Sequence, residues 1–247
     1  MRRASVRDAE RARRAARTTR PAGATRPAGV SRAAWRSRAA WRSRPARVAR
    51  RAFEVTTASL ALVVLSPVLL VTAAAVALRL GRPILFRQDR AGRDGRVFRL
   101  WKFRSMLPVD PSRGLVSDAD RLTRFGALLR STSLDELPGL VNVVRGDMGL
   151  VGPRPLPPIY LDRYTPQQAR RHEVAPGLTG LAQVAGRNAI PWEDRLALDV
   201  RYVDEASPLL DARILLRTVR VVLSREGVSA DGVATMTEFR GSGERTA

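Results

Sequence analysis

Apolar positions fall into three kinds of run along the chain. Val55 to Leu78 is 24 residues without a charge. At about 1.5 Å per residue, a continuous helix of that length covers a hydrocarbon core of ~30 Å. Ser66-Pro67 stands at the midpoint. Proline lacks the backbone N–H and clashes with the preceding turn, so a kink or break is predicted there. Each half is then about 12 residues, or roughly 18 Å, enough to enter one leaflet and return. Both flanks are basic: residues 35–54 hold seven Arg and residues 79–98 hold six. A single span would leave one Arg-rich flank outside, against the positive-inside rule. A re-entrant helix-break-helix keeps both flanks in the cytoplasm and is preferred to a spanning helix. Backbone exposed at the break needs partners, and the Ser66 hydroxyl is a candidate.

The second kind of run is short and alternating. Ile84 to Phe86 and Arg96 to Phe103 read as strands, joined by turn chemistry in Ala91 to Gly95, with Asp94-Gly95 the strongest local signal. Alternation puts Phe98, Leu100, Lys102 and Arg104 on one face. Lys102 and Arg104 are then roughly 7 Å apart, a spacing that suits a diphosphate or simply a solvated strand end.

The third kind has helical period. Leu122, Phe125, Leu128 and Leu129 predict a helix over Arg121 to Arg130. Leu209 to Leu223 reads as an amphipathic helix in which Arg213, Arg217 and Arg220 form one basic stripe. That stripe suits a membrane interface or an ordinary surface. Together these runs predict an α+β fold, largely helical. They divide the chain into a lead (1–50), a re-entrant membrane helix (51–80), a small cytoplasmic catalytic domain with amphipathic interfacial helices (81–228) and a C-terminal tail (229–247).

Charge sharpens this division. The 247 residues hold 44 Lys+Arg against 23 Asp+Glu, a formal net charge of +21. Residues 1–50 hold 16 Arg against Asp8 and Glu10, so most of the excess lies in the lead. The lead also repeats itself: Thr19 to Gly23 recurs as Thr25 to Gly29, and Ser31 to Arg36 recurs as Ser37 to Arg42. Such a period of Arg, Ala and Pro buries no core, so the segment reads as a disordered tail, either for anionic lipid or nucleic acid or with no specific role. The absence of cysteine excludes disulfides, thiol catalysis and Cys-ligated zinc. His172 is the only histidine, which excludes a multi-His metal site. Lys102 is the only lysine.

Candidate chemistry sits in three polar motifs. In Ser131 to Pro138, Ser133 and Glu136 match a capping box, and acidic residues belong in a first helical turn. The functional reading uses the same placement. Asp135 at a helix start stays ionised and can attack phosphorus, while the adjacent Glu136 can bind magnesium. Gly146 to Pro155 is a glycine- and proline-rich loop that holds Arg154 between two prolines, and a fixed guanidinium is well suited to bidentate phosphate contact. Pro176 to Gly180 is a further turn, followed by Gln183 and Gly186-Arg187-Asn188.

In order along the chain, these motifs resemble the bacterial sugar transferase family, the monotopic phosphoglycosyl transferases that act on polyprenyl phosphate. The resemblance is carried by Arg51-Ala52-Phe53-Glu54, Ser66-Pro67, Gln88 to Gly92 and Lys102 to Met106. It continues through Leu129-Arg130 with Ser133 to Pro138, Gly152 to Pro155, and Pro176 to Gly180 with Gly186-Arg187-Asn188. It implies transfer of a sugar-1-phosphate from a UDP-sugar to polyprenyl phosphate, with release of UMP, by a covalent two-step route. Asp135 is then the nucleophile. Glu136, with Asp135, holds Mg2+ and is available as a base. Lys102, Arg104, Arg130 and Arg154 neutralise phosphate, and Arg187 contacts the nucleotide. Ser66-Pro67 matches the family's re-entrant break, which places the protein at the bacterial cytoplasmic membrane with its catalytic domain on the cytoplasmic face. Membrane lipids are expected partners and nucleic acid is not. Gly139 stands where Gln is common and Gly149 where Ser is common. The Arg-rich lead lies outside the family pattern. The larger relatives carry a further membrane region and domain before this unit, so the chain reads as a minimal catalytic version. The rival readings are a non-catalytic basic membrane-binding module and a nucleotide-sugar hydrolase. The sugar, the polymer being built and the oligomeric state are not written in these motifs.

Overall fold

The computed structural model describes residues 43–186, 190–224 and 238–241. The first helix, α1 (Arg44–Val64), starts where Ser43 accepts from the Ala46 N–H at 3.4 Å and a proline occupies the first turn. It therefore begins inside the stretch expected to be a coreless lead, because a Ser cap followed by proline is itself a helix start. Leu65 ends α1, and α2 (Ser66–Leu80) follows at a bend of 63°. The break thus falls at Leu65, one position before the expected Ser66-Pro67. Pro67 lies in the first turn of α2, where its missing N–H has no helical acceptor to lose. The Ser66 hydroxyl donates to the Val63 carbonyl at 2.7 Å, satisfying backbone at the break. Ala58, Thr72, Val76 and Leu80 face inward, while Leu60, Val63, Val64, Leu70, Val71 and Leu78 are exposed. No single described helix is long and apolar enough to cross a membrane; only the bent pair together meets that test.

The chain then forms an antiparallel hairpin of β1 (Leu85–Ala91) and β2 (Val97–Phe103), with Phe86 opposite Lys102 and Arg90 opposite Phe98. At the turn, Asp94 (φ 55°) and Gly95 (φ 72°) take the left-handed conformation that Asp-Gly supplies. β1 runs well past the expected Phe86. Its polar second half is held by pairing with β2, which single-strand patterning does not reveal.

The expected helix over Arg121 to Arg130 is two helices, α3 (Asp118–Arg121) and α4 (Arg124–Ser131). Thr123 is extended and its hydroxyl accepts from Gly126 N–H at 3.0 Å, so a cap interrupts the apolar period. After α5 (Gly139–Arg145), the expected loop and turn contain strands. β3 (Gly149–Val151) pairs in parallel with β4 (Gly177–Thr179), Gly149 opposite Gly177. Glycine allows this approach: a Cβ on Gly152 would stand 2.4 Å from the Ala175 carbonyl oxygen. Four more helices follow among the described residues: α6 (Pro166–Ala169), α7 (Leu181–Ala185), α8 (Trp192–Glu205) and α9 (Pro208–Ser224). On α9, Ile214 points inward and Arg213, Arg217 and Arg220 are exposed.

The main core joins Ala58 of α1 to Leu100, Leu140, Val143, Leu150, Val151, Tyr202 and Ile214. A second cluster joins α2 to the hairpin and α4 through Val76, Leu80, Phe103 and Leu129. A third contains Leu156, Tyr160, Leu196 and Phe239. Phe239 belongs to the stretch expected as a tail, yet it is buried against Tyr160, Tyr164 and Trp192 at ring separations of 5.4–5.7 Å. The architecture is mostly helical with two small sheets, an α+β fold.

Candidate active site

Ser133 sets the site's geometry. It takes a left-handed conformation (φ 57°), uncommon for a residue with a Cβ. Leu134–Glu136 then form one 3-10 turn that runs into Pro138 and α5. The expected capping box is not formed, because left-handed Ser133 does not direct its side chain onto the turn's N–H groups. The reversal instead turns Asp135 inward, where it is 7 % exposed.

Glu136 is the centre of an ion cluster. Its Oε1 accepts from Lys102 Nζ of β2 and from Arg154 Nη2, each at 2.7 Å. Its side chain retains 24 % exposure. Arg154 follows β3, and its own carbonyl accepts from Arg171 Nη2 at 2.6 Å. Arg171 is paired in turn with Asp199 of α8 at 2.7 Å, both side chains 1 % exposed. Arg130, at the end of α4, donates to Ser105 Oγ and Met106 Sδ and lends its charge to Asp135.

The neighbouring carboxyls respond in opposite directions. Burial, reinforced by the charge of Glu136, pushes Asp135 up to about 6 against the pull of Lys102, Arg130 and Arg154. Burial also acts to raise Glu136, but Arg154 and Lys102 override it and hold Glu136 well below the usual carboxylate range.

Lys102, Arg130, Asp135, Glu136 and Arg154 therefore come together. Arg104 does not join them. The strand ends at Phe103, so alternation no longer governs Arg104, and its guanidinium donates to the Leu80 carbonyl at the end of α2. Arg187 lies outside the described residues. Sequence motifs assign no role to Arg90 or Arg171. Arg90 falls in a family-like stretch, but what brings it to the cleft is the length of β1, and Arg171 arrives from a remote element to hold the Arg154 carbonyl. His172 Nδ1 lies 2.9 Å from the Gly92 carbonyl, and burial lowers its pKa, as for a structural histidine.

Among the described residues no three His, Asp or Glu side chains form a metal cage. The donor set nevertheless fits a magnesium ion that keeps substrate oxygens as ligands. Neither Asp135 oxygen is committed to a hydrogen bond among the described residues. Glu136 directs only Oε1 to its two cations, which leaves Oε2.

The chain matches the model of the family described as bacterial sugar transferase over residues 45–225. It is 50% identical over 198 residues to a protein of Bacillus subtilis named uncharacterized sugar transferase EpsL, covering 80% of this chain and 98% of that protein. It is 40% identical over 189 residues to a UDP-glucose:undecaprenyl-phosphate glucose-1-phosphate transferase of Caulobacter vibrioides, covering 72% and 70%. It is 37% identical over 200 residues to an undecaprenyl-phosphate galactose phosphotransferase of Salmonella typhimurium, covering 74% of this chain but 42% of that longer protein.

Proposed function

The chain belongs to the bacterial sugar transferase family, and from that premise we propose that it transfers a sugar-1-phosphate from a UDP-sugar to polyprenyl phosphate, releasing UMP. The observation that carries this reading is Asp135: a buried carboxylate free of hydrogen bonds among the described residues, beside a carboxylate already bridged by two cations. In the first step an Asp135 oxygen attacks the sugar-linked phosphorus. The bond to the second phosphate breaks, its electron pair leaves with UMP, and an aspartyl phosphosugar remains. In the second step an oxygen of polyprenyl phosphate attacks the same phosphorus and Asp135 leaves as carboxylate. The product is the start of a longer glycan, such as an exopolysaccharide.

Both steps bring an anion to a phosphate, so the protein's main task is charge neutralisation. Arg154 and Lys102 are positioned for it by Glu136, and Arg130 stands within electrostatic reach of Asp135. Glu136, held ionised by two cations, suits an anchor better than a base. Magnesium would be held by Asp135, Glu136 Oε2 and the donor's phosphates, and would supply further neutralisation of phosphate charge.

The lipid acceptor is insoluble, so the site belongs at a membrane surface. The bent α1–α2 pair with its exposed apolar side chains supports a re-entrant insertion, with both ends and the catalytic domain on the cytoplasmic face. Labelling of cysteines introduced at Arg47 and Arg96 from one side only agrees with this; labelling from opposite faces means a spanning helix.

The test of function is UMP release from a panel of UDP-sugars with magnesium, with and without polyprenyl phosphate, for wild type and Asp135→Asn. Lipid-dependent release lost in the variant is the expected result. Sustained release without lipid would mean a hydrolase. No release with any donor would reject the UDP-sugar reading and favour a binding module.

A further inference from the structure

β1 brings Arg90 to the cleft that holds Lys102, Glu136 and Arg154. Its Nη1 donates to the Pro155 carbonyl at 3.3 Å, next to Arg154, and its Nη2 donates to Gln88 Oε1. Its Nε is buried and has no hydrogen-bond partner among the described residues.

Three neighbouring cations have counter-ions. Lys102 and Arg154 share Glu136, and Arg171 has Asp199. Among the described residues no carboxylate lies within ion-pair distance of Arg90. A cation withdrawn from water without a counter-ion destabilises the fold that holds it. Burial and the nearby Arg154 both work against its charge, which holds its pKa down to about 10. An arriving anion removes that penalty.

Position selects the anion. Arg90 lines the same cleft as Lys102, Glu136 and Arg154, and Asp135 is the residue next to Glu136. A diphosphate whose sugar-linked phosphorus meets Asp135 leaves its other phosphate to the cations of this cleft.

Resting on the transferase reading, we infer that Arg90 is a donor-binding residue that grips the nucleotide-side phosphate, the one that departs as UMP. As the bond from the sugar-linked phosphorus to the bridging oxygen breaks, negative charge collects on the departing phosphate. The guanidinium fork is suited to receive it through two parallel N–H donors.

The experiment uses the full chain in nanodiscs and UMP as the probe. UMP affinity is measured for wild type, Arg90→Gln and Arg90→Lys, together with KM for a UDP-sugar and for polyprenyl phosphate. Arg90→Gln is expected to weaken UMP binding and raise the donor KM at least about tenfold, with the acceptor KM within about twofold. Arg90→Lys keeps the charge but loses the fork, and is expected to fall between. If Arg90→Gln fails to fold, Arg90→Lys carries the same readouts. Unchanged UMP affinity overturns the assignment. So does a raised acceptor KM with an unchanged donor KM, which would place Arg90 on the lipid's phosphate. A wild type that binds UMP through Arg90 yet transfers nothing sinks the transferase reading and leaves the anion site standing. Transfer with UMP binding indifferent to Arg90 sinks the site alone, and a wild type that binds no UMP sinks both.

Discussion

Asp135 and Glu136 are consecutive residues whose acidities diverge, Asp135 upward to about 6 and Glu136 downward. The cause is the allocation of cations. Lys102 and Arg154 are both bonded to Glu136, and Asp135 receives their fields without their hydrogen bonds. The division leaves one carboxylate to hold the site together and one to react. Only the ionised form of Asp135 can attack phosphorus, so transfer is expected to fall about tenfold per pH unit below about 6. A pH–rate profile of the single-turnover first step checks this; a rate flat down to pH 4.5 would remove Asp135 from the nucleophile's role.

The same shift makes a stability statement. Folded Asp135 binds its proton more tightly than the unfolded chain does. Its favourable contribution is full below the unfolded value near 3.8 and is lost as pH rises through about 6. The ionised form is then a cost of at most about 3 kcal/mol. Asp135→Asn should therefore melt higher than wild type at pH 8, with the difference closing near pH 4. Calorimetry at the two pH values tests the sign, and a variant less stable than wild type at pH 8 contradicts it.

Arg171 and Asp199 form a buried pair whose cation also holds the Arg154 carbonyl. Removing one partner leaves the other charged and buried, so Arg171→Leu should cost about 3–5 kcal/mol. Replacing both by leucine should restore much of the stability, since an apolar pair fills the same space. Activity should not return with it, because the carbonyl anchor of Arg154 is still missing. Denaturant titration beside donor turnover separates these outcomes.

Gly152 permits β3 and β4 to meet and leads directly into Arg154. An added Cβ would lie 2.4 Å from one backbone oxygen and 2.9 Å from the Gly177 nitrogen. Backbone atoms cannot swing aside as a long side chain can. Gly152→Ala is expected to destabilise by about 1–3 kcal/mol and to reduce turnover more than that loss explains. A wild-type melting point for this variant would show the contact to be looser.

The N-terminal boundary gives a graded expectation. Deleting residues 2–42 should leave transfer within about threefold of wild type, because the helix start at Ser43 and the family match from residue 45 both survive. Extending the deletion through Arg51 should abolish folding. Arg50 donates to the Val151 carbonyl and Tyr202 hydroxyl, and Arg51 donates to the Val144 carbonyl. Expression and turnover of the two truncations provide the comparison.

What was legible in the sequence was local. Asp94-Gly95 announces its turn because the left-handed region needs such residues, and Pro67 announces a break because it lacks an N–H. What was not legible depends on remote partners. The polar half of β1 is a strand only because β2 lies beside it, and β3 exists only against β4, which is remote in sequence. Arg90 reaches the site through the first of those pairings, and Arg171 through its ion pair with Asp199 and its bond to the Arg154 carbonyl. Arg104 lies away from the site because alternation ends with the strand at Phe103. The Ser133 cap failed for a similar reason: the spacing rule presumes an extended cap residue, and Ser133 is left-handed.

The stretch matched by family likeness ends at residue 225, but the packing does not. Phe239 closes an aromatic cluster, and Arg163 reaches both Glu238 and the Phe239 carbonyl. Inheritance and folding thus draw different borders on one polypeptide. An expression clone trimmed to the inherited border would strip the lid from Tyr160, Tyr164 and Trp192 and offer those rings to neighbouring molecules. Such a clone invites clumping in the tube that a reader would blame on the lipid-facing helices.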